Sequence, residues 1–192
     1  MSFWSTPTAD SEPKRNFRFL IQLTGFGPDD ILWYAKSVVL PSYNVTNVAH
    51  AFLDNEYYYP GRVQWQDVSM VLVDPVTTDS TKLTNQLLIG AGYKVPGAVP
   101  GVAANGLAET ISKVKMADTS IQTVVIQVLN AAGEAKETWT LKNPLLISAK
   151  FGNLDYSNDE LKQVELSFKY DFATCENEAG IQFDAVGAPE ES

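Results

Sequence analysis

Val164-Glu165-Leu166-Ser167-Phe168-Lys169-Tyr170-Asp171-Phe172, near the end of a 192-residue chain, alternates apolar and polar residues without a break. Successive side chains of a β-strand point to opposite faces. Val164, Leu166, Phe168, Tyr170 and Phe172 therefore share one face, and Glu165, Ser167, Lys169 and Asp171 the other. A one-residue slip would bury charge, so the register of this strand, read over Leu161 to Phe172, is firmly set. The pattern is that of an antiparallel sheet with one face on a core and one on solvent.

Other segments carry weaker versions of the same pattern. Phe17, Phe19, Ile21 and Leu23 predict one face of a strand over Arg15 to Leu23. A second strand is expected over Ile31 to Leu40, closed by Pro41, which lacks a ladder donor. Ser42 to Pro60 predicts a hairpin with Asp54-Asn55 at its tip, flanked by Phe52, Tyr57, Tyr58 and Tyr59. Three consecutive tyrosines cannot all enter one core, so at least one faces a partner, unless strand exchange within a compact monomer covers them. Gln64 to Val73 predicts a strand that slips, as at a bulge, near Gln66-Asp67. Further strands are expected over Ile121–Leu129, Glu137–Leu141 and Leu145–Lys150, the last as an extension of the middle one. Asp79 or Ser80 caps a helix over Thr81 to Ile89 with Gly90 as its stop. Leu107, Ile111 and Val114 allow one more short helix.

The expected architecture is mainly β: an antiparallel sandwich or open barrel with one or two short helices. Its parts are a polar arm (1–14), one β-rich domain (15–173) and an acidic tail (174–192). Residues 42–61 form a projecting hairpin within the domain, and 92–117 an insertion-like loop and helix.

Composition narrows function mostly by exclusion. The chain carries 45% apolar, 11% aromatic and 19% charged residues, as a globular domain does. Its net charge of −9 is lopsided: residues 1–152 hold 13 acids and 12 bases, while 153–192 hold 10 acids and two bases. That distribution lacks the basic stripe with which a protein grips nucleic acid. The simplest reading of the tail is solubility. With one histidine, His50, and one cysteine, Cys175, no metal site, disulfide framework or catalytic pair is expected. Asp29-Asp30 and Asp159-Glu160 read as turn carboxylates rather than an acid–base dyad. No cofactor-binding fingerprint is present, so no cofactor is expected. No apolar run reaches the roughly 18 residues of a membrane span, and no secretory leader is visible in residues 1–16, so folding in the cytoplasm and no membrane contact are expected.

A more specific pattern lies in the order of several short segments. Ala35-Lys36-Ser37-Val38-Val39-Leu40-Pro41-Ser42 is followed by His50-Ala51-Phe52, Tyr57-Tyr58-Tyr59-Pro60-Gly61-Arg62, Trp65-Gln66-Asp67-Val68 and Val71-Leu72-Val73-Asp74-Pro75. Together with Asp155-Tyr156-Ser157-Asn158-Asp159-Glu160-Leu161 and the closing Tyr170-Asp171-Phe172, this series resembles the tail tube proteins of contractile-tailed bacteriophages. The likeness spans roughly residues 15–75 and 140–173; residues 92–117 and 174–192 have no counterpart in it.

The resemblance implies a non-enzymatic structural subunit of the virion tail, assembled in the host cytoplasm. Hexameric rings would stack into a tube, and inner strands of neighbouring subunits would join into one barrel around a lumen. Glu165, Ser167, Lys169 and Asp171 would line that lumen, an acidic wall in which Glu165 and Asp171 repel phosphates so that DNA passes during ejection without sticking. Phe52, Asp54, Asn55, Tyr57, Tyr58 and Tyr59 would contact the adjacent ring or subunit, and sheath, baseplate and terminator proteins would be the other partners. Related readings are the tube of a contractile secretion or injection system and a baseplate tube initiator. A monomeric β-sandwich binding module that uses the tyrosines for a ligand is a reading of a different class.

Overall fold

The computed structural model describes residues 13–24, 35–75, 80–93, 110–119, 123–157 and 159–177. The elements in chain order are β1 (Phe19–Thr24), β2 (Ala35–Val38), β3 (Tyr43–Phe52), β4 (Asn55–Trp65), β5 (Val68–Val73), α1 (Ser80–Gly90), α2 (Lys113–Thr119), β6 (Thr123–Leu129), β7 (Ala135–Lys142), β8 (Leu145–Lys150), β9 (Gln163–Lys169) and β10 (Phe172–Asn177). Two four-stranded sheets form, in the orders β1-β6-β7-β10 and β2-β5-β9-β8, and β3 and β4 make a separate two-stranded ribbon. Every strand pair is antiparallel. The chain is mainly β with few short helices, as its alternation predicts.

The core lies between the two sheets. Val164, Leu166 and Phe168 of β9 and Val68, Met70 and Leu72 of β5 are fully buried from one side. They pack in one cluster with Ile21, Leu23, Val124, Ile126 and Leu141 from the other sheet, joined by Leu87 of α1. Each such side chain contributes about 1.5–3 kcal/mol by leaving water, so this cluster fixes which face of every strand turns inward. Register follows: Leu166 sits opposite Met70, and Phe168 opposite Val68.

Several expectations need correction. The strand read over Leu161–Phe172 ends at Lys169, and Phe172 starts β10 in the opposite sheet. Asp171 occupies the bend between them, because the chain must cross from one layer to the other there. Residues 174–177, expected in the tail, belong to β10, where Ala173 and Cys175 are buried. Gln66-Asp67 separates two strands in different sheets rather than forming a bulge in one. Likewise β8 does not extend β7: the turn at Asn143, with φ 52°, and the buried Pro144 send it to the other sheet, beside β9. Phe17 is exposed rather than in the core. Met116 of α2 is buried, whereas Ile111, ahead of that helix, and Val114, both expected on the apolar face, are exposed. Ile31, Trp33, Asp29-Asp30 and Leu107 fall outside the described residues, as do most of the 92–117 stretch, the arm up to residue 12 and the tail from residue 178.

Candidate assembly and lining surfaces

The β3–β4 ribbon has no layer beneath it. From Tyr43 to Gln64 every residue is exposed, and its ladder closes at Phe52 opposite Asn55. Residues that pair across an antiparallel ladder share a face. Val48 with Tyr59, His50 with Tyr57 and Phe52 with Asn55 therefore lie on one face, and Ala49 with Tyr58 and Ala51 with Glu56 on the other. Tyr57, Tyr58 and Tyr59 are 50%, 63% and 58% exposed, so none enters the subunit core and strand exchange within the monomer does not cover them. The Tyr58 hydroxyl donates to Glu56 Oε2 at 2.8 Å, and that carboxylate holds its pKa above the ordinary tyrosine value. Leu53 stands at the tip with a φ of 54° and 86% exposure, beside Asp54.

The root of the ribbon is firm. The Trp65 ring is half-buried, its centroid 5.3 Å from that of Tyr43 and 5.8 Å from that of Tyr170. The Gln66 amide donates to the Ser42 carbonyl at 2.8 Å. Above the root the register shifts between Val45 and Asn47. Thr46 Oγ1 bridges that irregularity, accepting from the Arg62 amide at 2.8 Å and donating to its carbonyl at 3.2 Å.

The second surface is the outer face of sheet β2-β5-β9-β8. Glu165, Ser167 and Lys169 point away from the core there, as alternation requires. Across the ladders Ser167 faces Ser69 and Ser148, and Glu165 faces Val71 and Lys150. Lys150 Nζ lies 3.1 Å from Glu165 Oε2, and Lys169 Nζ 3.8 Å from Asp67 Oδ1. Both acids on this face thus have a lysine beside them within the chain. Asp171 leaves the set. Lys113 Nζ of α2 reaches its two oxygens at 2.7 and 2.8 Å, and Asn143 Nδ2 donates at 2.9 Å. These partners hold its pKa below the usual carboxylate range.

Residues that sequence reasoning left aside converge elsewhere. Lys14, Arg15, Arg18 and Lys36 surround a cleft of about 440 Å³ at the edges of β1 and β2, floored by Phe19, Val38 and Ile126. No local motif could have announced it, because its parts come from segments far apart in the chain. Cys175 is buried and its thiol pKa is raised, chiefly by that burial and then by Glu137. Among the described residues no group of three His, Cys, Asp or Glu is placed to hold a metal ion. Among them, too, no helix is long and apolar enough to cross a membrane.

Solved structures place this architecture. A chain of the anti-feeding prophage baseplate superposes with a TM-score of 0.60 at 16% identity, over 86% of this chain and 97% of that one. A chain of the tube-terminating cap of the anti-feeding prophage matches at 0.59 and 15% identity, over 92% of this chain and 99% of that one. A chain of the PVC sheath–tube complex, an extracellular contractile injection system in its extended state, matches at 0.59 and 18% identity over 90% and 99%. At this identity the likeness is one of fold, and it extends over nearly the whole chain. No protein-family model and no curated protein matches the sequence.

Proposed function

We propose that this protein is a structural subunit of the tube of a contractile tail or injection machine. The observation that carries the reading is the β3–β4 ribbon. It exposes Val48, Phe52, Leu53, Tyr57, Tyr58 and Tyr59 with no core of its own. Val48, Phe52, Tyr57 and Tyr59 share one face of it; an exposed apolar face of that kind marks an interaction site, and aromatic residues are favoured anchors at such sites. The fold shared with chains of contractile injection structures supplies the context.

In this reading sheet β2-β5-β9-β8 turns its polar face to the lumen and its two edge strands to neighbouring copies. Both edges are irregular: β2 shifts register at Lys36 and β8 at Ile147. Bulged edges resist indiscriminate pairing, so partners are confined to one register. Glu165, Ser167 and Lys169 are the lining residues, with Asp171 set back toward α2. The tip residues Phe52, Asp54 and Asn55 and the three tyrosines reach the adjacent ring or subunit. Hexameric rings, a sheath outside α1 and α2, and baseplate and terminator proteins complete the assembly.

The cargo of a phage tail tube is DNA. The lining suits its passage because its acids and lysines pair within the chain, so phosphates meet no uncompensated row of cations to displace their counterions. The same neutral wall suits a protein cargo, and the similarity to injection-system structures favours that second reading. Negative-stain microscopy of the purified chain, from dilute to millimolar, and of native particles tests the proposal. Rings or tubes are expected, and a monomer throughout that still binds a small ligand returns the protein to the binding-module class. Nuclease protection of the contents of native particles separates the two cargoes.

A further inference from the structure

We infer that the seat for the hairpin tip is the basic cleft between β1 and β2 on a second copy of this chain. The inference rests on the tube reading and specifies a contact within it.

The tip and the cleft are complementary in charge, and the cleft has room for the tip. From Tyr43 to Gly61 the only charged residues are Asp54 and Glu56, with no lysine or arginine. Phe52 and Leu53 stand beside them, 61% and 86% exposed. The cleft presents Lys14, Arg15, Arg18 and Lys36 around an apolar floor that includes Phe19, Val38 and Ile126. Among the described residues that line it the one carboxylate, Glu137, is already held by Lys14. Arg15 and Arg18 each have an interaction within the chain, and the Arg18 guanidinium stands 5.4 Å from the Phe17 ring centroid. A volume of about 440 Å³ accepts the Leu53 side chain and part of Phe52. Two acids entering beside Arg15, Arg18 and Lys36 interact well within the screening length of about 8 Å.

The occupant must be another copy. The ten residues of β3 span about 33 Å at about 3.3 Å each. A paired, fully exposed ribbon of that length carries its tip away from its own body, where the cleft lies. Each copy then gives one tip and receives another, a head-to-tail contact of the kind that propagates into rings or filaments.

Charge exchange tests the seat. Sedimentation of the full chain over a concentration series, with electron microscopy of the same samples, reads assembly, and circular dichroism checks that each variant folds. Asp54→Lys with Glu56→Lys, and separately Arg15→Glu with Lys36→Glu, should each raise the half-assembly concentration by ~10-fold or more at about 0.15 M salt. The chain carrying all four substitutions, or an equal mixture of the two variants, should assemble again. Wild-type tubes together with reversed variants that assemble equally well overturn the seat and leave the tube reading standing. Loss in both single-site variants without rescue in the combined chain also overturns it. If deletion of residues 178–192 cancels the effect of the cleft reversal, the acidic tail is the occupant and the inference is wrong. A wild-type chain that stays monomeric at every concentration and is absent from tubes in native particles overturns both.

Discussion

Lys113 of α2 clamps both oxygens of Asp171, at 2.7 and 2.8 Å, and so ties the helical side of the domain to the crossing between β9 and β10. Lys113, followed by Asn143, holds the Asp171 pKa down. A depressed carboxyl stabilises the fold at pH values above its unfolded pKa, and that contribution fades as pH falls through the folded value. Lys113→Ala should therefore return the Asp171 titration, followed by NMR, toward the ordinary aspartate range. The Asp171 side chain is 42% exposed, so the stability loss at neutral pH should stay below about 1 kcal/mol. At about pH 2 mutant and wild type should unfold alike. An unchanged titration would remove Lys113 as the cause.

Tyr170 tests the opposite kind of burial. Its hydroxyl is buried beside the Ser42 backbone, at a geometry that falls short of a hydrogen bond, and burial pushes its pKa up to about 12. Removing a buried polar atom that lacks a partner costs little. Tyr170→Phe should leave urea stability unchanged or raise it by up to about 1 kcal/mol, while Phe168→Ala, in the same cluster, should lose about 3–5 kcal/mol. A large loss for Tyr170→Phe would reveal a bridging water.

Strand identity was legible wherever a single rule governs the outcome. Val164, Leu166 and Phe168 alternate with Glu165, Ser167 and Lys169, and the fold honours that pattern because burying any of the latter group would be costly. The hairpin was legible too, although its turn is Leu53-Asp54, one position before the Asp54-Asn55 pair that suggested it, and Asn55 already pairs with Phe52. What alternation cannot show is when a chain changes sheets. Tyr170-Asp171-Phe172 continues the pattern through a crossing, so Asp171 looked like a neighbour of Glu165 when it belongs beside Lys113 and Asn143. Lys169 shows a related gap: its partner Asp67 lies just ahead of β5, and only the β5–β9 register brings them near each other. The basic cleft was invisible for the same reason.

The lining proposal makes Glu165 and Asp171 behave differently. In particles that eject DNA, Glu165→Lys would set a new cation between Lys150 and Lys169 in every copy around the ring. Ejection should slow, with a salt dependence that grows as phosphate contacts are made. Asp171→Ala should leave ejection unchanged, since its carboxylate serves α2. Normal kinetics for Glu165→Lys in particles with tubes of wild-type length would move that face away from the channel.

The tyrosines separate assembly from folding. Tyr57 and Tyr58 lie on opposite faces of the ribbon and neither touches the core. Tyr57→Ala and Tyr58→Ala should each change the unfolding free energy of the isolated subunit by no more than about 0.5 kcal/mol. Tube formation should weaken, by an amount that identifies which face meets a neighbour. Unfolding of either variant would return its ring to the subunit interior.

Gly61 offers the sharpest test of how the ribbon is aimed. A Cβ at this position would sit 2.3 Å from Thr46 Oγ1 and 2.9 Å from the Thr46 carbonyl oxygen. The side-chain oxygen could rotate away, at the expense of its two bonds to Arg62. The carbonyl cannot move without shifting the backbone at the irregularity between Val45 and Asn47. Such irregularities set the local bend and twist of a ribbon, and a small angular change at this level is magnified over the six cross-strand pairs from Asn47–Pro60 to the tip. Gly61→Ala should therefore displace Leu53 by several ångströms while leaving the core cluster untouched. Subunit unfolding should shift by less than about 1 kcal/mol, because the ribbon lies outside that cluster, yet tubes should fail to form or should form with altered pitch. Thr46→Ser keeps the hydroxyl and should assemble normally. Thr46→Val removes it and should reproduce part of the Gly61→Ala defect. Tubes of normal pitch from Gly61→Ala would show that the neighbour, rather than the bulge, directs the hairpin.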